Sequence, residues 1–256
     1  MSALSVADLT VRLGSTLAVD RAAFSAEQGE LVAIVGPNGA GKTSLVRAVA
    51  GLVHHSGQCS LDGTRLEELT PVERARRIAY LPQRADFAWA LPVRDAVALG
   101  RLPHGDPFGR PSPDDATAVA TALDRLALSA LADRPVTALS GGERARVMLA
   151  RVLATQAPLI LADEPTAALD PAHQMLVLDL LRDEARAGRI VLAVLHDLAL
   201  AARYADRVLV IDQGAIVADG PAVAVLTGDL IARVFGLACL FVEIEGRRVP
   251  MPIGRI

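Results

Sequence analysis

Long hydrophobic runs are missing from this chain of 256 residues, although its mean hydropathy is high, at +0.37. The longest uninterrupted apolar stretches, Ile190–Leu195 and Leu237–Val242, hold six residues each, against the roughly 18 needed to span a bilayer. The hydropathy therefore points to a buried core. Aromatic residues make up only 3% of the chain, so Leu, Val, Ile and Ala must fill that core. Cysteine is nearly absent: Cys59 and Cys239 cannot build a metal site by themselves and suggest no disulfide framework, which fits a reducing cytosol. The opening MSALSVADLT shows no basic segment followed by an apolar one, so no secretory leader is expected. An excess of basic charge is lacking too. The 26 basic and 29 acidic residues leave a formal charge of -3, which argues against a nucleic-acid binder. An apolar fraction of 52% against 21% charged excludes a disordered chain. Lysine is scarce as well. Of the 26 basic residues 25 are arginine, and the single lysine is Lys42.

The residues that are present alternate between strand and helix patterns, as in an α/β domain. Leu4–Leu13 and Leu17–Ala26 read as an antiparallel opening section. Leu31–Val35 is a continuous apolar run ending at a glycine, the mark of a strand buried on both faces, and a helix is expected from about Lys42 to Leu52. Thr70-Pro71-Val72-Glu73 is a capping box with proline at the first helical position, and Ile78–Leu81 is the next strand. From about Pro82 to Thr137 the pattern changes. Prolines 92, 103 and 107 interrupt Leu91–Arg110, Ser112-Pro113-Asp114-Asp115 caps a helix to about Leu128, and no strand is expected. Ser140-Gly141-Gly142-Glu143 is another capping box, opening a helix to about Ala154. Strand Leu159–Ala162, helix Pro171–Ala187, strand Ile190–Leu195, helix Leu198–Tyr204 and a hairpin of Arg207–Ile211 with Ala215–Ala218 follow, and Asp229–Ile256 is expected to be a short helix and an irregular hairpin. The expected organisation is one domain: an α/β core over residues 1–82 and 156–256, with a helical subdomain inserted at about 83–155.

Gly36-Pro37-Asn38-Gly39-Ala40-Gly41-Lys42-Thr43 fits G-x-x-x-x-G-K-[ST] between a strand and a helix. Glycines let backbone N–H groups curl around phosphate oxygens, and the helix N-terminus adds partial positive charge. Lys42 is placed to reach β- and γ-phosphates and Thr43 to ligand Mg2+; with Ser44 next in line, the nucleotide-binding stretch runs over 36–44. Leu159–Ala162 ends in Asp163 and Glu164. The first acid suits an outer-sphere Mg2+ contact and the second can act on an attacking water. Ser140, Gly141 and Gly142 form a second helix N-terminus free of bulky side chains, hence a second phosphate cradle. One triphosphate and two cradles are reconciled by a dimer, with one chain's Ser140 segment closing over the nucleotide held by the other chain's P-loop.

The order P-loop, Gln83, Leu-Ser-Gly-Gly-Glu, Asp163-Glu164-Pro165-Thr166, Ala168-Leu169-Asp170, His196 resembles the ATP-binding-cassette (ABC) ATPases over about residues 3–235. The resemblance implies a P-loop NTPase core, ATP and Mg2+ as ligands, and a homodimer. It implies that Gln83 touches Mg2+ and reports nucleotide state to the helical subdomain. Ser140, Gly141 and Gly142 would act in trans, Asp170 would contact the opposite site, and His196 would contact the γ-phosphate. Two positions depart from the family pattern. Glu143 stands where glutamine is usual, and it serves the capping box equally well. Leu13 stands where an aromatic residue commonly stacks on adenine, so loose base selectivity is expected.

A P-loop GTPase would need an Asn-Lys-x-Asp motif, which a chain whose only lysine is Lys42 cannot contain. A small-molecule kinase would lack the second Gly-Gly helix start and the strand-end acids with a later histidine. Chromosome-type members of the superfamily carry a long coiled coil, whereas Ser140 follows Gln83 by only 57 positions, without heptads. Translation-type members usually carry two cassettes. A transporter subunit is favoured over a soluble cassette ATPase or a cassette of another transporter class, and a chain that cannot cross the bilayer itself needs a membrane-spanning partner. The resemblance implies two copies of a multi-helix permease, a substrate-binding protein acting indirectly, and this chain on the cytoplasmic face. Ile78–Gln83, Leu91–Asp95, Gly100–Gly105 and Val234-Phe235-Gly236-Leu237 look like the importers of ferric siderophores, haem and cobalamin. Arg101 and His104 read either as part of that importer pattern or as part of a solvated loop, and Arg74, Arg76 and Arg77 as a solvated helix face rather than a docking site.

Overall fold

The computed structural model describes residues 3–83, 87, 89–105, 112–167 and 169–256. Pro107 and Ala168 lie outside them. Strands β1 (Ala3–Leu13) and β2 (Thr16–Glu27) pair antiparallel as expected. β3 (Leu31–Val35) runs into the glycine-rich loop and α1 (Lys42–Val49). The helix stops three residues short of the expected Leu52, since Gly51 takes a left-handed φ of +71° and permits the turn there. A hairpin of β4 (Ser56–Leu61) and β5 (Thr64–Arg65) follows, then α2 (Pro71–Arg77) with its capping box and β6 (Ile78–Leu81).

Between β6 and the next strand stand α3 (Val93–Ala98), α4 (Pro113–Arg125) and α5 (Gly141–Ala154). The core then resumes with β7 (Leu159–Asp163), α6 (Pro171–Arg186), β8 (Ile190–Val194), α7 (Leu198–Tyr204) and the hairpin β9 (Arg207–Asp212) and β10 (Ala215–Gly220). Short helices α8 (Ala222–Val225) and α9 (Gly228–Phe235) lead to a terminal hairpin, β11 (Leu237–Ile244) and β12 (Arg247–Arg255). That hairpin pairs eight positions with one register shift at Ala238/Cys239, in keeping with the irregular hairpin expected.

Six strands form the main sheet in the order β10-β9-β3-β8-β7-β6, and a four-stranded sheet runs β2-β1-β4-β5. β3 lies between β9 and β8, parallel to both, and β7 is parallel to β8 and β6. The central strands β3, β7 and β8 are buried at every position and serve two cores in alternation. Ala33, Val35, Ile160, Ala162, Val191 and Ala193 face the helical side, while Val32, Ile34, Leu159, Leu161, Leu192 and Val194 face the antiparallel sheet and α1. This period of two turns each apolar run into a wall between two layers. The carboxyl ends of β3, β7 and β8 lie side by side, since Ile34 and Asp163 both pair with Val194. Ligand-binding loops gather at such ends in open α/β sheets.

Two expected solvated stretches carry structural bonds. Arg101 is buried: its Nε donates to Asp115 Oδ1 at 2.7 Å, and its Nη1 donates to Ala154 O at 2.9 Å and Gln156 Oε1 at 3.0 Å. His104 places Nε2 2.9 Å from Thr155 O. A solvated loop was expected; Arg101 and His104 instead turn inward, because a guanidinium can cap the carbonyls at the end of α5. The Arg101 hydrogen bond, helped by Ser112, holds the Asp115 carboxyl down to about 2. On α2, Arg74 donates to Leu66 O at 2.7 Å and Arg76 to Pro103 O at 2.6 Å, so that face is also partly structural.

Candidate nucleotide site

The loop between β3 and α1 can only be made with glycine at its two ends. A Cβ on Gly36 would overlap the Ile211 carbonyl, and one on Gly41 would overlap that of Ala18, where φ is +104°. Gly41 is also the N-cap of α1, with no side-chain hydrogen bond in the way. Lys42, 5% exposed, donates from Nζ to the carbonyls of Gly36 and Pro37, each at 2.8 Å, which folds the ammonium back over the loop. Burial pulls its pKa below the ordinary lysine value, opposed by the nearby charges of Glu164 and Asp163. Asn38, Gly39, Ala40, Gly41, Lys42, Thr43 and Ser44 line a cleft of about 520 Å³ together with Leu13, Leu17 and Glu164. No aromatic side chain of the described residues lines it, and Leu13 is 50% exposed at its edge.

Thr43, one residue inside α1, donates its hydroxyl to Asp163 Oδ1 at 2.8 Å. Asp163 is fully buried at the end of β7. A hydroxyl and a carboxylate converging at a phosphate-binding loop are the hard oxygen donors that Mg2+ takes, and the pair fits that ion. The next residue, Glu164, leaves the strand in a left-handed conformation, φ +53°. That turn sends its carboxylate back over the strand ends, where Gln83 donates to Oε2 and His196 Nε2 lies 2.5 Å from Oε1. The structure therefore brings Lys42, Thr43, Asp163, Glu164, Gln83 and His196 into one neighbourhood from four separate segments.

Ser140, Gly141, Gly142 and Asp170 are absent from the lining of the P-loop cleft. Ser140 caps α5: its Oγ accepts from Glu143 N at 3.3 Å, and its own N–H donates to Glu143 Oε2 at 2.7 Å. Glutamate thus completes the box as expected. Asp170 caps α6, accepting from His173 N at 3.0 Å, with Oδ2 2.6 Å from His173 Nδ1; these bonds hold its carboxyl below the usual range. Ser140, Gly141 and Asp170 are all exposed.

Two residues at Asp163 had no signal in the sequence reading. Tyr80, on β6, donates its hydroxyl to Asp163 Oδ2 at 3.0 Å, and Arg47 Nε donates to the Tyr80 oxygen at 3.3 Å. Burial, outweighing the Arg47 hydrogen bond, pushes the Tyr80 phenol above its ordinary value, so it stays a donor at neutral pH.

The sequence profile of the ABC transporter family matches residues 19–167. The chain is 46% identical over 231 residues to the hemin import ATP-binding protein HmuV of Rhodococcus jostii, covering 89% of this chain and 78% of that protein. It is 43% identical over 234 residues to the cobalamin import ATP-binding protein BtuD of Halobacterium salinarum, covering 91% of this chain and 58% of that one. Among solved structures, an inward-facing ABC transporter provisionally assigned to the metal-chelate type superposes with a TM-score of 0.85 at 28% identity, over 99% of this chain and 98% of that chain. The chain belongs to the ABC transporter family, as an ATP-binding subunit that hydrolyses ATP. No helix among its described residues is long and apolar enough to cross a membrane.

Proposed function

We propose that this chain powers import of a metal chelate of the haem, cobalamin or ferric-siderophore class, as a homodimer docked on the cytoplasmic face of two permease subunits. A substrate-binding protein would deliver the cargo from the other side. The observation that carries the catalytic half is the Glu164 carboxylate, held between Gln83 and His196 at the edge of the Lys42 cleft. The cargo class is supported by the import functions named for the relatives.

In this reading the 36–44 loop takes the triphosphate of ATP, with backbone N–H groups and Lys42 on the β- and γ-phosphates. Thr43, Asp163 and Gln83 would hold Mg2+, which when bound neutralises phosphate charge. Glu164 accepts the proton of the attacking water as its oxygen bonds to the γ-phosphorus, and His196 steadies the γ-phosphate. The bond to the bridging oxygen breaks, leaving ADP and inorganic phosphate. The Ser140–Gly142 helix start of the second chain closes the site from above, with Asp170 reaching across, so two ATP molecules hold the dimer shut until hydrolysis releases it. Residues 83–155 act as a helical subdomain on the core formed by 1–82 and 156–256. Gln83, at the junction, passes the change of state to that unit and so to the permease.

The test is purification of the tagged chain from detergent-solubilised native membranes with mass spectrometry of stoichiometric partners. Recovery of a many-helix membrane protein is expected. Recovery of the chain alone, or with soluble partners, would overturn the importer reading and leave a soluble ATPase.

A further inference from the structure

Asp163 is gripped on both of its oxygens. Oδ1 accepts from Thr43 at 2.8 Å and Oδ2 from Tyr80 at 3.0 Å, while Arg47 stands behind, donating to the Tyr80 oxygen and 3.9 Å from Oδ2. Neither Tyr80 nor Arg47 lines the P-loop cleft; their hydrogen-bonded connection to it runs through Asp163. We propose that Tyr80, backed by Arg47, is a positioning residue that fixes the Asp163 carboxylate for divalent-cation binding beside ATP. This rests on the reading of Thr43 and Asp163 as the Mg2+-holding pair.

The physical case is one of rotation. A buried carboxylate is free to turn about its last torsion unless both oxygens are engaged, and a buried oxygen left without a donor turns to find one. The Tyr80 hydroxyl occupies Oδ2 and so keeps Oδ1 on the Thr43 side, toward the loop. Strand pairing makes this grip rigid: Tyr80 sits opposite Leu161, two residues before Asp163 on the neighbouring strand. Without the hydroxyl, the nearest cation is Arg47, whose side chain is 46% exposed. The carboxylate would swing toward it and away from Thr43. Tyr80 also lies three residues before Gln83 on one continuous segment. The segment that carries Gln83 is thereby tied to Asp163 as well as to Glu164.

The experiment is a Mn2+ titration, read by electron paramagnetic resonance, of the full chain loaded with a non-hydrolysable ATP analogue. Removing the hydroxyl by Tyr80→Phe keeps the ring and is expected to weaken Mn2+ about tenfold, the scale of outer-shell ligand support. Nucleotide affinity without metal and thermal stability should stay at wild-type values. The Mg2+ concentration for half-maximal turnover should rise by a similar factor, with KM for ATP unchanged at saturating Mg2+. Arg47→Ala should weaken Mn2+ by a smaller factor. Wild-type Mn2+ affinity in Tyr80→Phe would overturn the proposal, and so would an equal loss of metal-free nucleotide binding, which would mark a general packing role. Asp163→Asn and Thr43→Ala separate the two readings. If both retain Mn2+ affinity, the Mg2+ assignment itself is wrong; if both lose it while Tyr80→Phe does not, only the role of Tyr80 falls.

Discussion

The Lys42 loop and the Ser140 segment are made of the same material, glycines at the start of a helix, yet the chain treats them in opposite ways. The first is walled by the carbonyls of Ala18 and Ile211, backed by a buried lysine and faced by Asp163 and Glu164. The second is exposed at Ser140 and Gly141, and the Ser140 N–H and hydroxyl are engaged by its own capping box. A phosphate site needs converging donors and opposite charge on more than one side. The Lys42 loop has them within one chain, and the Ser140 segment has only its own helix end. The contrast favours a composite site, in which the exposed half is completed by another copy.

Four substitutions, one of them followed as a pH profile, test this contrast. The largest effect is expected at Glu164. Glu164→Gln should lower phosphate release by at least about 100-fold, the scale of a lost general base, and trap an ATP-loaded dimer visible by light scattering. Unchanged turnover would remove Glu164 from the chemistry. Ser140→Ala tests the other half: ATP-dependent dimerisation and turnover should fall by about tenfold, the worth of roughly one to two lost hydrogen bonds. ATP affinity of the isolated monomer, measured by calorimetry, should not move. A loss of monomer affinity would mean that the segment serves its own chain. The variant also removes a helix cap, about 1 kcal/mol of stability, so a thermal melt belongs beside it.

The placement of α5 depends in turn on Arg101 and Asp115. The Asp115 carboxyl is lowered from 3.8 to about 2 in the folded chain. Its contribution is therefore fully present above pH 3.8 and is lost as pH falls through about 2. Chemical denaturation of Asp115→Asn should show lower stability at neutral pH, with a flatter acid limb across that window; a limb parallel to wild type would assign the acid sensitivity elsewhere. The smallest change is expected at the cleft edge. Leu13→Tyr should tighten ATP by several-fold, from base stacking worth about 1 kcal/mol, and leave the triphosphate contacts as they are. An unchanged dissociation constant would count against a missing stacking residue.

Much of this site is legible in the sequence, because its chemistry is local. Gly36–Thr43 is contiguous, its strand and helix are adjacent in sequence, and capping boxes at Thr70, Ser112 and Ser140 each announce a helix within four residues. β4 was missed since Ser56-Gly57-Gln58 carries no apolar alternation, and its pairing with β1 decides it. α3 was hidden by flanking prolines, although Val93, Ala96 and Val97 sit at helical spacing. Arg101 looked solvated because nothing in its own neighbourhood shows Asp115 or the end of α5.

The phosphate loop, the alternating α/β order and the list of chemical groups follow from local sequence, since each rests on bonds between residues close along the chain. Which groups meet is a matter of how the sheet pairs. The parallel register of β3, β8 and β7 aligns three strand ends, and the left-handed turn at Glu164 swings its carboxylate between Gln83 and His196. Tyr80 reaches Asp163 only because β6 pairs with β7. Contacts across strands depend on register, and register is a property of the whole sheet rather than of any one segment.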